Sequence, residues 1–185
     1  MIPARIPPAS LAREAVQKGG TIDIMARGSS MLPLIWHKRM VTLAWADPNQ
    51  VEAGDIIVLG KDSAYLIHRV IRIGRHATFT TKGDFLPYTD NTQGWQYIGR
   101  VARFKGLLWT LYPSRLAGTL KHSAARLSRF STRLHRHTEG LYRRLPPNRA
   151  LLLAYRLLLC LPLVLYNICV IIPYLIVVSR RSNPS

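Results

Sequence analysis

Ala64-Tyr65-Leu66-Ile67-His68-Arg69-Val70-Ile71-Arg72-Ile73 is an apolar-rich run dense in β-branched residues, and it reads as a strand. Further strand-like runs lie at residues 22–26, 41–45, 56–59, 77–81 and 96–104, each bounded by turn signals. Together they predict a small, mainly β domain over residues 21–105. Ahead of it, residues 10–18 fit a short helix capped by Ser10 and ended by Gly19-Gly20. That helix belongs to a lead-in of residues 1–20, whose proline-rich start has no apolar stretch long enough for a signal peptide or anchor.

Three segments of the β domain carry chemically useful groups. Gly28-Ser29-Ser30-Met31-Leu32-Pro33 offers hydroxyls in a turn, and His68 stands within the quoted strand. Thr81-Lys82-Gly83-Asp84, with Asp90 six positions after Asp84, supplies carboxylates. A hydroxyl nucleophile, an imidazole base and a carboxylate to orient it are the inventory of acyl-transfer catalysis. Each segment alone has an ordinary structural reading as a turn, a strand histidine or a Gly-Asp turn. Their combination and order carry the functional one.

In combination these segments resemble the catalytic boxes of type I signal peptidases. The branch concerned is that of the endoplasmic reticulum, archaea and some Gram-positive bacteria, where histidine replaces the lysine base. The family's Ser-Met-x-Pro box matches Ser30 to Pro33, its Gly-Asp-Ile box Gly54-Asp55-Ile56, and its His-Arg-Val box His68-Arg69-Val70. Its acidic box matches Thr81 to Asp84 with Asp90. The match covers residues 21–104. It implies a coiled β-structure and an acyl-enzyme on Ser30, with His68 as base and then acid. Asp84 is the first choice and Asp90 the second to orient the imidazole. An imidazole has an ordinary pKa of about 6.5 and accepts a proton near pH 7, and the Ser30 N–H is the expected oxyanion donor. The resemblance further implies small substrate residues just before the cut.

The chain departs from the family pattern at named positions. Gly28 stands where many relatives place a serine that helps form the oxyanion hole, Leu34 replaces a threonine, and Phe85-Leu86-Pro87 replaces more polar residues. Lys82 is a conceivable serine-lysine base, but it lies in the acidic box. The related SOS-repressor peptidases use serine and lysine, and no helix-turn-helix unit precedes Ser30. No cofactor and no metal-ligand spacing is expected: Cys160 and Cys169 both fall within an apolar tail.

Charge is unevenly distributed. Residues 1–105 hold 14 Lys and Arg against 8 Asp and Glu, whereas residues 106–185 hold 12 against 1. In the segment 106–149, Leu116, Leu120, Leu127, Phe130, Leu134 and Leu141 fall on one helical arc. Arg115, Arg126, Arg129, Arg133, Arg136 and Arg144 fall on the other. This basic amphipathic helix either packs on the domain or lies on an anionic membrane surface. Residues 157–178 then run without a charge, long enough at about 1.5 Å per residue to cross a core of about 30 Å. A membrane helix over residues 150–179 is the leading reading. Pro162, Asn167 and Pro173 keep open a kinked, re-entrant or docked helix. A basic tail, residues 180–185, closes the chain. Arg143, Arg144, Arg149 and Arg156 before the charge-free run outnumber Arg180 and Arg181 beyond it, a bias toward a cytoplasmic catalytic domain. That bias conflicts with the removal of signal peptides from exported proteins and leaves the side open.

The expected function is therefore a membrane-associated serine endopeptidase cleaving a precursor or signal peptide. The alternatives are a dedicated maturation peptidase for one precursor and a retired, membrane-bound basic binding module. The partners expected are a peptide or protein precursor and membrane lipid. Nucleic acid is not expected, because the basic helix has little aromatic interleaving and adjoins an apolar segment.

Overall fold

The computed structural model of the protein describes residues 7–105, 110–113, 116–144 and 149–181. Residues 1–6, Arg115, the tail beyond Arg181 and the side chains of Leu141, Arg143, Arg149, Arg180 and Arg181 lie outside what is described.

The strands are β1 (Thr21–Met25), β2 (Met40–Ala44), β3 (Ile56–Lys61), β4 (Ala64–Ile73), β5 (Phe79–Lys82), β6 (Gln96–Lys105) and the short β7 (Thr110–Leu111). They form one antiparallel sheet in the order β1-β2-β6-β3-β4-β5, with β7 on β6. Each expected strand is present, and β4 has the expected limits. β5 starts two residues late because residues 75–77 coil into a tight turn in which His76 and Ala77 take positive φ. β7 was not expected; two residues leave no period to read.

Helix α1 (Ala9–Gln17) buries Ala9, Ala12 and Val16, one helical face, against the sheet. Ser10 does not cap it. The residue before the helix is Pro8, and the Ala9 N–H, one of the orphan donors of the first turn, is satisfied by the Asp62 carbonyl at 2.7 Å. The main core joins α1 to Ile24, Val41, Leu43, Val58, Ile98 and Phe104 of the sheet.

Helix α2 (Gly118–Arg144) realises the basic helix, yet the leucine arc is not what it buries most. Phe130 is 53% exposed, while Ala124, Ala125, Ser128 and Ser131 are buried. Small residues permit close approach to the domain, and ion pairs complete the contact. Lys121 reaches Asp55 at 2.8 Å and Glu52 at 3.3 Å, and Arg100 also approaches Asp55, at 3.5 Å. The Gly54-Asp55 box is thus a docking point for α2. Gly54 takes φ +103, and any Cβ there would overlap the Lys121 backbone.

Helix α3 (Arg149–Tyr166), a π-helical turn (Asn167–Ile171) and α4 (Ile172–Arg181) form the apolar C-terminal rod. Its Ala150–Ile176 portion is long and apolar enough to cross a membrane. Pro162 is accommodated within α3, and the π turn immediately precedes the region of Pro173, which has no N–H to continue the ladder. Leu159, Leu163, Asn167, Ile171 and Leu175 recur every four residues and are buried against the rest of the protein. Leu157, Leu158, Leu161, Leu165 and Ile168 face outward.

Gly54→Ala is expected to destabilise the protein by about 2–4 kcal/mol, since it combines overpacking with a left-handed backbone. Urea unfolding of detergent-solubilised protein measures this, and an unchanged midpoint would refute the docking role.

Candidate active site

Ser30 sits at the start of a turn whose following residues are anchors. Met31, Leu34 and Ile35 are buried in the main core, the Ile35 N–H donates to the Met31 carbonyl at 2.9 Å, and the Leu32–Pro33 bond is cis. The hydroxyl is thereby held at a partly exposed position by apolar burial on one side only. Ser29 next to it is exposed.

His68 lies opposite Ile57 in the β3–β4 register, and Thr81 lies opposite Val70 in the β4–β5 register. Residues two apart on a strand, and directly opposed residues, share a face. His68, Val70 and Thr81 therefore project together, and Arg69 and Lys82, opposed to each other, project to the other side. The first group meets Ser30. The His68 Nε2 is 2.8 Å from the Ser30 Oγ, and its Nδ1 is 2.7 Å from the Asp90 Oδ2. The Thr81 hydroxyl donates to that same oxygen at 2.6 Å, and the Asp90 N–H donates to the Thr81 carbonyl at 3.0 Å. An ionised carboxylate only accepts, so Asp90 places the imidazole proton on Nδ1 and leaves Nε2 free to take the serine proton. His68 is buried, which keeps water from competing for these bonds.

Asp84, the first choice from sequence, does not orient His68. It lies on the opposite face, where Arg69 donates from Nε to its Oδ1 at 2.8 Å and from Nη2 to its Oδ2 at 2.6 Å. Both residues are buried. Arg69 also donates to the Gly54 carbonyl at 2.9 Å. Asn167, from the π turn, donates to Asp84 at 3.1 Å and accepts from Arg69 at 3.4 Å. In the sequence Asn167 reads only as a polar interruption of an apolar run. A polar side chain on the buried stripe of a docked helix is the signal that could have found it.

Lys82 is also fully buried on this second face. Burial lowers the pKa of its ammonium, with the nearby Asp84 carboxylate acting in the opposite sense. Its Nζ donates to the Gly83 carbonyl at 3.3 Å, and among the described residues it makes no bond to Ser30. Gly83 bridges the two faces: a Cβ there would lie 2.9 Å from the Ser30 Cβ and 3.0 Å from the His68 Nε2. Only glycine lets the acidic box pass this close.

At Gly28, φ is +92 and the N–H donates to His37 Nδ1 at 3.0 Å. Gly28 has no side-chain hydroxyl and its N–H is engaged by His37, so this position offers no donor to the serine. Among the described residues, the Ser30 N–H donates to no protein acceptor, so it is free to meet an incoming oxygen. A groove of about 290 Å³ opens beside the serine, lined by Ile24 to Gly28 on one side and Ser63 to His68 on the other. Among the described residues, no cluster of three or more His, Cys, Asp or Glu could hold a metal ion.

No family model, no curated protein and no solved structure matches this chain.

The two aspartates separate by measurement. Asp84→Asn leaves the Arg69 charge buried and unpaired and is expected to lower stability by about 3–5 kcal/mol. Asp90→Asn should lower it far less, and equal losses in urea unfolding would contradict the division. Lys82 sets a pH dependence. Its folded pKa lies below the unfolded value of about 10.4, so the unfolded chain binds more protons between the two and stability rises with pH across that window. Lys82→Met should remove this rise, read as the difference between the two proteins' unfolding midpoints at a series of alkaline pH values.

Proposed function

We propose that the protein is a membrane-associated serine endopeptidase of the signal peptidase type, acylated on Ser30. The observation that carries this reading is the continuous chain from the Ser30 Oγ through His68 to Asp90, opening onto a groove. His68 takes the serine proton as the hydroxyl attacks a peptide carbonyl, then returns it to the leaving amine. Asp90 holds the imidazole and stabilises the imidazolium, and the Ser30 N–H meets the oxyanion.

The groove suits an extended peptide. β1 is an edge strand, and the Ala64–His68 half of β4 pairs only with β3 because the β5 ladder begins at Arg69. Two open strand edges face each other across the groove, the arrangement that binds a peptide by strand addition. Its small volume favours short side chains in the substrate.

Membrane attachment rests on the C-terminal rod. The inner face is committed to the domain, with Asn167 in the Arg69–Asp84 cluster, so withdrawing the rod to cross a bilayer alone would strip that buried pair of a partner. The outward leucines remain for lipid, with the catalytic domain held at the membrane surface. A retired binding module is the second reading, favoured by the Gly28 amide being engaged by His37.

An active-site serine probe decides between them. Wild-type protein should label at Ser30, Ser30→Ala should not label, and His68→Ala and Asp90→Asn should slow labelling by roughly 10³–10⁴-fold. Failure of the folded wild type to label, together with intact precursor on co-expression, would leave the binding-module reading.

A further inference from the structure

A second cleft, of about 660 Å³, lies between α2 and the far half of β4 and shares no lining residue with the peptide groove. Arg129, Arg133 and Arg136 enter it from α2, at the i, i+4 and i+7 spacing that puts side chains on one helical face. Arg72, from the end of β4, and Tyr88, from the acidic-box loop, line it as well. Four arginines therefore line one concavity, with Glu139 the one carboxylate residue lining it beside them. Among the described residues, none of the four arginines forms an ion pair with a carboxylate. Like charges gathered in a concave site raise its potential and attract a counter-anion.

The cleft has a built floor. His135 is buried, with its ring 6.2 Å from that of Tyr88 and 6.1 Å from that of Tyr155 on α3. The His135 Nδ1 lies 3.2 Å from the Tyr155 hydroxyl. Burial lowers the pKa of His135, with Glu139 opposing, so the positive charge is that of the arginines. Planar guanidinium forks match the tetrahedral oxygens of phosphate in pairs.

We propose that this cleft binds a phosphoryl anion of the phosphate-monoester class. The inference is independent of the peptidase reading, since the cleft shares no lining residue with the peptide groove and Ser30, His68 and Asp90 do not line it. Two sources share this chemistry: the headgroup of an anionic lipid at the surface contacted by the outward leucines, and a soluble phosphate ester. RNA is disfavoured because the cleft presents one exposed aromatic ring, Tyr88, where a strand would need a basic track with successive stacking platforms.

The test titrates the full detergent-solubilised chain with glycerol 3-phosphate and with short-chain phosphatidic acid. It also measures sedimentation with phosphatidylcholine vesicles, with and without phosphatidic acid. Binding of glycerol 3-phosphate identifies a soluble-ester site, and binding of phosphatidic acid alone identifies a headgroup site. In either case Arg129→Gln with Arg133→Gln should weaken binding about 25-fold, about fivefold for each basic residue. Arg126→Gln, on α2 outside the cleft, should change it less than about twofold. An equal loss for Arg126→Gln would show diffuse attraction without a site and overturn the proposal. So would absence of binding to both phosphates, or tighter binding of RNA than of either. Thermal melts of each variant exclude loss through unfolding.

Discussion

The buried pairing of Arg69 with Asp84 is the constraint on which the arrangement rests. Two charges removed from water lose far more in solvation than one contact returns, so such a pair persists only when its remaining bonds are satisfied. Here they are satisfied by the Gly54 carbonyl and by Asn167. One guanidinium thus ties together β4, the acidic-box loop, the turn on which α2 docks and the C-terminal rod. His68 is the chain neighbour of Arg69, and its orientation follows from how firmly that strand is held.

The pleat turns one stretch of sequence into two chemistries. Alternation sends His68 and Thr81 toward Ser30 and sends Arg69 and Lys82 toward the apolar rod. The two clusters are back to back, separated by the thickness of the sheet and by Gly83, which is narrow enough to let the acidic box turn under the serine. Hydrogen bonds hold the side chains on both faces, the preorganisation that the proposed proton transfer between Ser30 and His68 would use. The rod contributes to this from a distance: its Asn167 completes the pair that holds the strand.

The same rod explains why its own sequence is ambiguous. Composition and length describe a membrane span, and the rod is apolar around most of its circumference. Its inner stripe nevertheless carries Asn167 at the one place where a buried ion pair requires an amide, and its small or branched neighbours pack against the β domain. Hydropathy averages over the circumference and cannot tell a lipid-facing leucine from one facing a core. Helix α2 shows the converse: its leucines mark an arc, while the face pressed to the domain is made of alanine and serine, which a hydrophobicity pattern passes over.

The strands were legible because half-buried β structure alternates and its turns are punctuated by glycine, proline and aspartate, as in β4, whose limits agree residue for residue. The inventory of Ser30, His68 and a nearby carboxylate was legible too, because residue types and order survive in one dimension. What the sequence could not determine was which carboxylate meets His68. Asp84 and Asp90 both follow Lys82 by a few residues, and the choice depends on which face each reaches after a turn, a matter of three-dimensional path. Asp90 returns to Thr81 through a backbone bond and Asp84 remains under Arg69. Local sequence determined the elements and the chemical groups. Only tertiary structure decided their pairing, because side-chain direction and long-range contact are set by the register of the sheet and by what packs on each of its faces.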